Sequence, residues 1–212
     1  MLYFRMNFTQ QDAQTLQNII KARRDVRGNR FIHTPIEEHK LRTILEAGLH
    51  APSVGYSQPW KFVVITDDTI KQALVNNFTQ ENTKAKNIFA DKPLYNKLKL
   101  EGIVEAPINI AVLYEPKEDA VLGMTSMSKM GEYSVVCAVE NMWLMARALN
   151  IGIGWVSILD EKKVLKTLHV KPKTQLIAYL CVGYVDKFYN ESELKTLGWD
   201  KEKVFEECVK FI

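Results

Sequence analysis

The sequence predicts an α+β fold in which helices flank a central mixed sheet. Apolar strand-like runs alternate with amphipathic helices along 212 residues, and 47% of the residues are hydrophobic, so one domain can bury a substantial core. Several helical crossovers connect the strands, which favours mixed or partly parallel pairing. No repeat, linker or low-complexity run divides the chain, and a single domain over residues 1–212 is expected.

The composition excludes several classes of function. A net charge of +3 with scattered lysines is too small to indicate a nucleic-acid partner. The three cysteines have no C-x-x-C spacing and the four histidines have no ligand spacing, so neither a disulfide framework nor a metal site is indicated. Residues 1–8 hold no long apolar run, and no later stretch approaches the roughly 18 apolar residues of a membrane span. We therefore expect a cytoplasmic protein with no membrane partner.

Two helices open the chain. The first is expected to begin with a capping box at Thr9 and to stop at Gly28. The second is expected to begin with Thr34 as its N-cap and Glu37 closing a capping box. It should end near His50, because a proline lies two positions later.

A buried strand and a capped helix come next. Residues 60–66 are apolar and β-branched or aromatic, which predicts a strand, and Asp67 or Asp68 then caps a helix. Residues 79–99 are polar, lysine-rich and only weakly periodic. This segment is the best candidate for a mobile lid.

The second half continues the alternation. Strands are predicted over residues 108–114, 153–158 and 176–185, with a short helix between the last two and a charged helix in the tail. The helix predicted over residues 132–150 is apolar on more than one face, which is typical of a buried helix and often of a subunit interface.

The run from Arg23 to Arg27 is a candidate anion site. If the first helix continues, Arg23 and Arg27 share one face and could grip a phosphate between them. The alternative is that these basic residues only complement the dipole at the helix C-terminus. Asp25 lies inside the run, where a plain anion site has no use for a carboxylate. It is either an ionised partner of the arginines, with a lowered pKa, or a functional acid.

The segment Ala51–Trp60 is a second candidate. Two prolines and a glycine force irregular backbone before a buried strand, and Ser53, Ser57 and Gln58 present hydroxyl and amide groups there. A polar loop at a strand end can also be a simple turn.

A pair of glycines at Gly152 and Gly154 invites comparison with nucleotide-binding fingerprints. The third glycine is absent and the residues after Gly154 are strand-like, so a Rossmann motif is not indicated. Gly154 is better interpreted as a strand position where the backbone closely approaches a flat ligand.

Together these motifs resemble the nitroreductase-like FMN proteins and, within that superfamily, the branch of 5,6-dimethylbenzimidazole synthases. The resemblance spans about residues 17–200 and rests on long motifs: Arg23–Phe31, Ala51–Trp60, Leu100–Gly102 before Ala106–Pro107, Gly152–Leu159 and Tyr179–Tyr184. Ordinary nitroreductases usually carry serine where Asp25 stands. They also carry a basic phosphate-binding stretch near the C-terminus that is not found cleanly after Gly183.

The resemblance implies a nitroreductase-like fold, a homodimer and a set of FMN-binding residues. That set is Arg23, Arg24, Asp25, Val26, Arg27, Pro52, Ser53, Gln58, Leu100, Gly154, Trp155 and Ser157. Each flavin site would draw residues from both chains, with Pro52 and Ser53 from one subunit and Arg23 to Arg27 from the other.

The resemblance also implies an unusual reaction in which the flavin is the substrate. Reduced FMN reacts with dioxygen and is cut apart to 5,6-dimethylbenzimidazole, the lower ligand of cobalamin, with Asp25 moving protons and Ser157 donating a hydrogen bond near the reacting flavin. A separate flavin reductase would supply the reduced FMN. Two alternatives stay open: an FMN-dependent NAD(P)H nitroreductase or quinone reductase that keeps its flavin, and a non-catalytic flavin-binding module.

Overall fold

A computed structural model describes residues 7–212 and shows a four-stranded sheet with helices on both faces. The helices are α1 (Gln10–Ala22), α2 (Glu38–Leu49), α3 (Asp68–Ile88), α4 (Met130–Ala148), α5 (Glu161–Thr167), α6 (Glu193–Thr196) and α7 (Phe205–Cys208). The strands are β1 (Trp60–Ile65), β2 (Ile108–Tyr114), β3 (Gly152–Val156) and β4 (Gln175–Gly183). The sequence prediction for the N-terminal segment, residues 1–8, falls mostly on residues 1–6, which lie outside the described residues.

The sheet confirms the predicted fold class and differs from it in one detail. Its strand order is β1-β2-β4-β3, and each of these neighbouring pairs is antiparallel rather than mixed. The crossover through α4 does connect two strands of the same direction, because β2 and β3 are each antiparallel to β4. However, β4 lies between them, so their common direction produces no parallel ladder.

The core has one layer on each face of the sheet. Apolar side chains of α2 and α4 pack on one face around Ile44, Met142 and Leu180, and those of α3 and α5 pack on the other around Leu74 and Val164. All seven residues of β2 are buried, as expected of a central strand that is covered on both faces.

Helix α1 confirms the predicted start and corrects the predicted end. The Thr9 amide donates to the Asp12 carboxylate at 2.8 Å, and the Asp12 amide donates to the Thr9 hydroxyl at 3.2 Å, which closes the capping box. The helix ends at Ala22 rather than near Gly28, because the chain becomes extended and the Val26 amide bonds the Ile153 carbonyl at 3.0 Å. Pairing with β3 therefore replaces further helical turns.

Helix α2 begins later than predicted and ends as predicted. Thr34 is not its N-cap; the helix begins at Glu38, and Glu37 occupies the cap position without a side-chain capping bond. The Glu37 carboxylate instead accepts hydrogen bonds from the Lys40 ammonium and the Tyr184 hydroxyl. A tertiary contact therefore overrides the local capping signal, while the end at Leu49, with His50 as C-cap, confirms the prediction.

The other elements agree closely with the sequence. Asp67 caps α3 by accepting the Thr69 and Ile70 amides at 2.8 and 3.0 Å. That helix continues to Ile88, so residues 79–88 of the expected lid are helical; their mobility stays a prediction. Within residues 7–212, no helix combines the length and apolar character needed to cross a membrane.

Candidate functional site

The Arg23–Arg27 run lines a cleft of about 230 Å³ beside β3, at one edge of the sheet. The opposite wall comes from the chain after β4. The lining residues are Arg23, Arg24, Asp25, Arg27, Tyr189, Glu191, Ser192, Glu193 and Leu194.

Asp25 is held by both its backbone and its carboxylate. Its backbone forms a parallel bridge with Ile153. One carboxylate oxygen accepts the Trp155 amide at 2.9 Å, and the other lies 2.6 Å from a guanidinium nitrogen of Arg27. The side chain thus takes the place of a ladder partner along the edge of β3.

Burial raises the pKa of the Asp25 carboxyl above its usual value. The positive charges of Arg27 and Arg23 and the Trp155 amide bond act in the opposite direction, and the negative charge of Glu193 adds to the rise. The arginine effect expected from the sequence is therefore real but smaller than the cost of desolvating the carboxylate. Raising the pKa of a positioned carboxyl moves it towards the range in which a carboxyl can both donate and accept a proton.

The three arginines of the run have different environments. Arg27 pairs with Asp25 and also donates to the Leu100 carbonyl at 3.4 Å. Arg24 is committed to backbone carbonyls, donating to Lys21 at 2.7 Å and also to Asn190. Because the chain leaves the helix at residue 23, the predicted shared helical face of Arg23 and Arg27 does not exist.

Arg23 has unused hydrogen-bonding capacity. Its guanidinium carbon lies 5.0 Å from the centre of the Trp143 ring, and the Trp143 indole in turn donates to the Arg24 carbonyl at 3.2 Å. Its Nε atom is buried and has no hydrogen-bond partner in the described part of the chain. Arg23 also lines the cleft, where a guanidinium group can bind an anion through charge-assisted hydrogen bonds.

A close approach requires glycine at position 154, but the neighbour is not the flat ligand that the sequence predicts. A side chain here would overlap the Val26 carbonyl oxygen, which lies against the glycine. The neighbour that needs the space is thus the chain's own backbone, and the contact keeps Val26 buried beside Asp25. Approach of a flat ligand to Gly154 stays a prediction.

Ser157 lies just beyond β3 in an adjoining cleft. It is exposed and lines a space of about 230 Å³ together with Trp155 and Tyr179. Trp155, whose amide holds Asp25, also lines this second space. The two clefts share no lining residue, so the described chain does not bring Asp25 and Ser157 together in one cleft.

The loop before β1 lies at the other edge of the sheet. Inter-strand spacings of about 4.8 Å place β1 roughly 14 Å from β3 across β2 and β4. Pro52, Ser53 and Gln58 are therefore not brought together with the Arg23–Arg27 run within one chain. The backbone amide of Gln58 donates to the Ser53 hydroxyl at 3.1 Å. This hydrogen bond stabilises the turn.

Ser57 is the buried polar group of this loop. It is only 5% exposed, and within residues 7–212 its hydroxyl has no hydrogen-bond partner. Gln58 at the next position is exposed, with a positive φ of 47°. The sequence shows only that Ser57 and Gln58 are polar. The fold determines that the first is buried and the second exposed.

Sequence reasoning missed the wall formed by residues 189–194. This segment comes after β4 without a recognisable motif, and its short charged helix resembles a solvated surface. The one available signal is the absence of the expected basic stretch after Gly183. The structure places Glu191 and Glu193 facing the arginines instead.

Comparison with known proteins gives consistent matches. Residues 20–184 match the model of the Nitroreductase family. The chain is 38% identical over 192 residues to 5,6-dimethylbenzimidazole synthase of Rhodospirillum rubrum, covering 89% of this chain and 90% of that protein. It is 34% identical over 204 residues to 5,6-dimethylbenzimidazole synthase of Rhodobacter capsulatus, covering 92% and 96%.

A solved structure supports the same assignment at the level of the fold. The structure of oxidised iodotyrosine deiodinase bound to FMN and 3-iodo-L-tyrosine has a TM-score of 0.70 and 21% sequence identity, covering 92% of this chain and 100% of that chain. The fold, the family match over most of the chain and the two sequence relatives agree, and this chain belongs to the nitroreductase family.

Proposed function

We propose that this protein catalyses the oxygen-dependent fragmentation of reduced FMN to 5,6-dimethylbenzimidazole. The observation that carries the proposal is Asp25, a fixed carboxyl of raised pKa in an arginine-lined cleft. Identities of 38% and 34% to two 5,6-dimethylbenzimidazole synthases support it. A flavin site that only binds or reduces has no evident need for an acid among its phosphate-binding residues.

The residues of the cleft fit FMN as a substrate. Arg23 and Arg27 would hold the phosphate, whereas the terminal nitrogens of Arg24 already donate to backbone carbonyls. Bound reduced FMN supplies the electrons and the carbon atoms of the product, and dioxygen is the oxidant. A separate flavin reductase is the expected source of the reduced flavin.

Asp25 can serve in both of its protonation states. As an acid, it can donate its proton while the Trp155 amide keeps it oriented. After the proton leaves, the Arg27 guanidinium at 2.6 Å stabilises the carboxylate. Ser157 would donate a hydrogen bond near the reacting flavin.

We further propose a homodimer, because one chain leaves the site incomplete. Pro52, Ser53 and Gln58, which the resemblance assigns to the flavin site, lie at the opposite edge of the sheet from the Arg23–Arg27 run. A partner's loop 51–60 would supply the missing wall. Apolar side chains exposed on α1 and α4 support an interface there: Leu16, Ile20, Tyr133 and Val136.

Incubation with chemically reduced FMN and air, followed by mass analysis, tests the function. A synthase forms 5,6-dimethylbenzimidazole and its flavin bleaches irreversibly. A nitroreductase returns to the yellow oxidised state and oxidises a nicotinamide donor with a nitroaromatic acceptor, and a binding module does neither. Light scattering tests the assembly, since a monomer that still binds FMN contradicts the shared site.

A further inference from the structure

The chain after β4 crosses a group of arginines. We name residues 186–199 the C-terminal strap. Arg30 pairs with the Asp186 carboxylate at 2.9 Å and lies 4.6 Å from the centre of the Tyr189 ring. Arg147 lies 4.0 Å from the centre of the Phe188 ring. The strap is therefore attached firmly at its beginning.

The middle of the strap forms a wall of the Asp25 cleft. Glu191, Ser192, Glu193 and Leu194 all line it. The charge of Glu193 reaches Asp25, where it favours the protonated acid. Displacing this wall would therefore change both the shape and the charge of the cleft.

Residues 191–199 form one hydrogen-bonded unit. The Leu197 amide donates to the Glu193 carbonyl at 2.9 Å, and the Trp199 amide donates to the Leu194 carbonyl at 2.9 Å. Lys195 adds an ion pair with Glu191 at 3.5 Å. These bonds connect Trp199 to the same helical turn that presents Glu193.

Trp199 at the end of the unit contacts the expected lid. Its ring centre lies 5.6 Å from that of Phe89 and 6.3 Å from that of Tyr95, and those two rings stack at 4.8 Å. The Lys92 ammonium lies 4.7 Å from the centre of the Trp199 ring. The Tyr95 hydroxyl donates to Asn82 at 2.8 Å and so joins this aromatic clasp to α3.

We propose that residues 191–199 are a rigid coupler between residues 79–99 and the Asp25 cleft. Movement of the lid segment is transmitted through Trp199 and sets the position of Glu193 in the cleft, and with it the affinity for FMN. This inference rests on the proposed binding of FMN in that cleft. The competing explanation is that the aromatic clasp only stabilises the tail.

A double-mutant cycle on FMN affinity separates the two explanations. Phe89→Ala acts at the clasp and Glu193→Gln acts in the cleft, and the two side chains share no hydrogen bond or ion pair among the described contacts. Independent substitutions multiply in their effects on the dissociation constant to within about twofold. A coupler predicts a larger deviation, and it predicts that Trp199→Ala removes the deviation while Trp199→Phe keeps it.

Two controls make the result decisive. Phe205→Ala removes an exposed aromatic of the same tail and should combine multiplicatively with Glu193→Gln. Hydrogen exchange requires no ligand: Phe89→Ala should accelerate exchange of the Leu197 amide, which the unit protects. Multiplicative effects on FMN affinity would refute the coupler while leaving FMN binding intact. Accompanied by faster exchange, they would show that the aromatic clasp only stabilises the tail; accompanied by unchanged exchange, they would show that Phe89 does not act on the unit at all. If the wild-type protein fails to bind FMN, the proposed function fails, and with it the link to FMN affinity.

Discussion

Replacing Asp25 with Asn removes the exchangeable proton and the negative charge while keeping nearly the same shape. The amide oxygen can still accept the Trp155 amide, which lies 2.9 Å from the carboxylate in the wild type. The ion pair with Arg27 is lost, but the burial that raises the pKa of Asp25 disfavours the charged form and makes a neutral side chain acceptable. Reduced FMN should therefore bind equally well or more tightly, because one negative charge leaves the phosphate site.

Product formation should nevertheless fall by at least about 100-fold, the usual scale for losing a positioned acid or base. This loss corresponds to about 2.7 kcal/mol of transition-state stabilisation. The assay measures 5,6-dimethylbenzimidazole formed from reduced FMN and air, at flavin concentrations that saturate both proteins. Asp119→Asn, the same change at an exposed residue, is the matched control and should retain the full rate.

The same substitution has a pH-dependent effect on stability. Because the folded pKa of Asp25 is raised, its proton stabilises the fold below the unfolded pKa, and this contribution is lost as pH rises through the folded pKa. Asp25→Asn should therefore be at least as stable as the wild type at neutral pH, and the difference should shrink near pH 4 and below, around the unfolded pKa of about 3.9. Urea unfolding at neutral pH and near pH 4 measures this difference in the free energy of unfolding. A variant less stable than the wild type at neutral pH would refute the dominance of burial.

The catalytic role has its own refuting result. If Asp25→Asn forms product at the wild-type rate, Asp25 is not the catalytic acid.

Three further substitutions test the rest of the site. Arg27→Ala should weaken binding of FMN by about 1.5–3 kcal/mol and of riboflavin far less, since only the phosphate uses the charge-assisted contact; equal losses in titrations of the two ligands would assign Arg27 to folding. Gly154→Ala should lower the free energy of unfolding by about 1–3 kcal/mol and weaken FMN binding, because it displaces Val26 and the Asp25 bridge; unchanged urea unfolding would contradict this. Ser157→Ala should reduce the rate of product formation less than Asp25→Asn does, if the hydroxyl only orients the flavin; an equal loss would make it a proton carrier.

Local sequence signals predict the bounds of an element correctly where tertiary packing favours the same structure. The bounds of β2 match the prediction because the strand is buried on both faces and forms one apolar run. The start of α1 matches because its capping box is satisfied by adjacent residues. The sequence likewise singles out Asp25 among the arginines, although it leaves open whether this residue is an ionised partner or a functional acid.

Local sequence signals give the wrong prediction where a distant segment bonds the same backbone or side chain, or changes the pKa of the same group. The end of α1 depends on the pairing of Val26 with Ile153 in β3, and the cap of α2 depends on Tyr184. The direction of the Asp25 pKa shift depends on desolvation, which no spacing of residues reveals. The Glu191 and Glu193 wall has no motif at all, so only the fold shows that it faces the arginines.

The position of β4 between β2 and β3 has a consequence for the order of folding. Among the described residues, β3 joins the sheet through β4 alone, and β4 is the last of the four strands to be synthesised. The Asp25 carboxylate bonds the Trp155 amide 130 positions along the chain, and closing so long a loop is slow. A nascent chain that ends before residue 183 can form the β1–β2 antiparallel pair but has no attached edge for Asp25. The cleft is therefore expected to form late, after the rest of the sheet is complete.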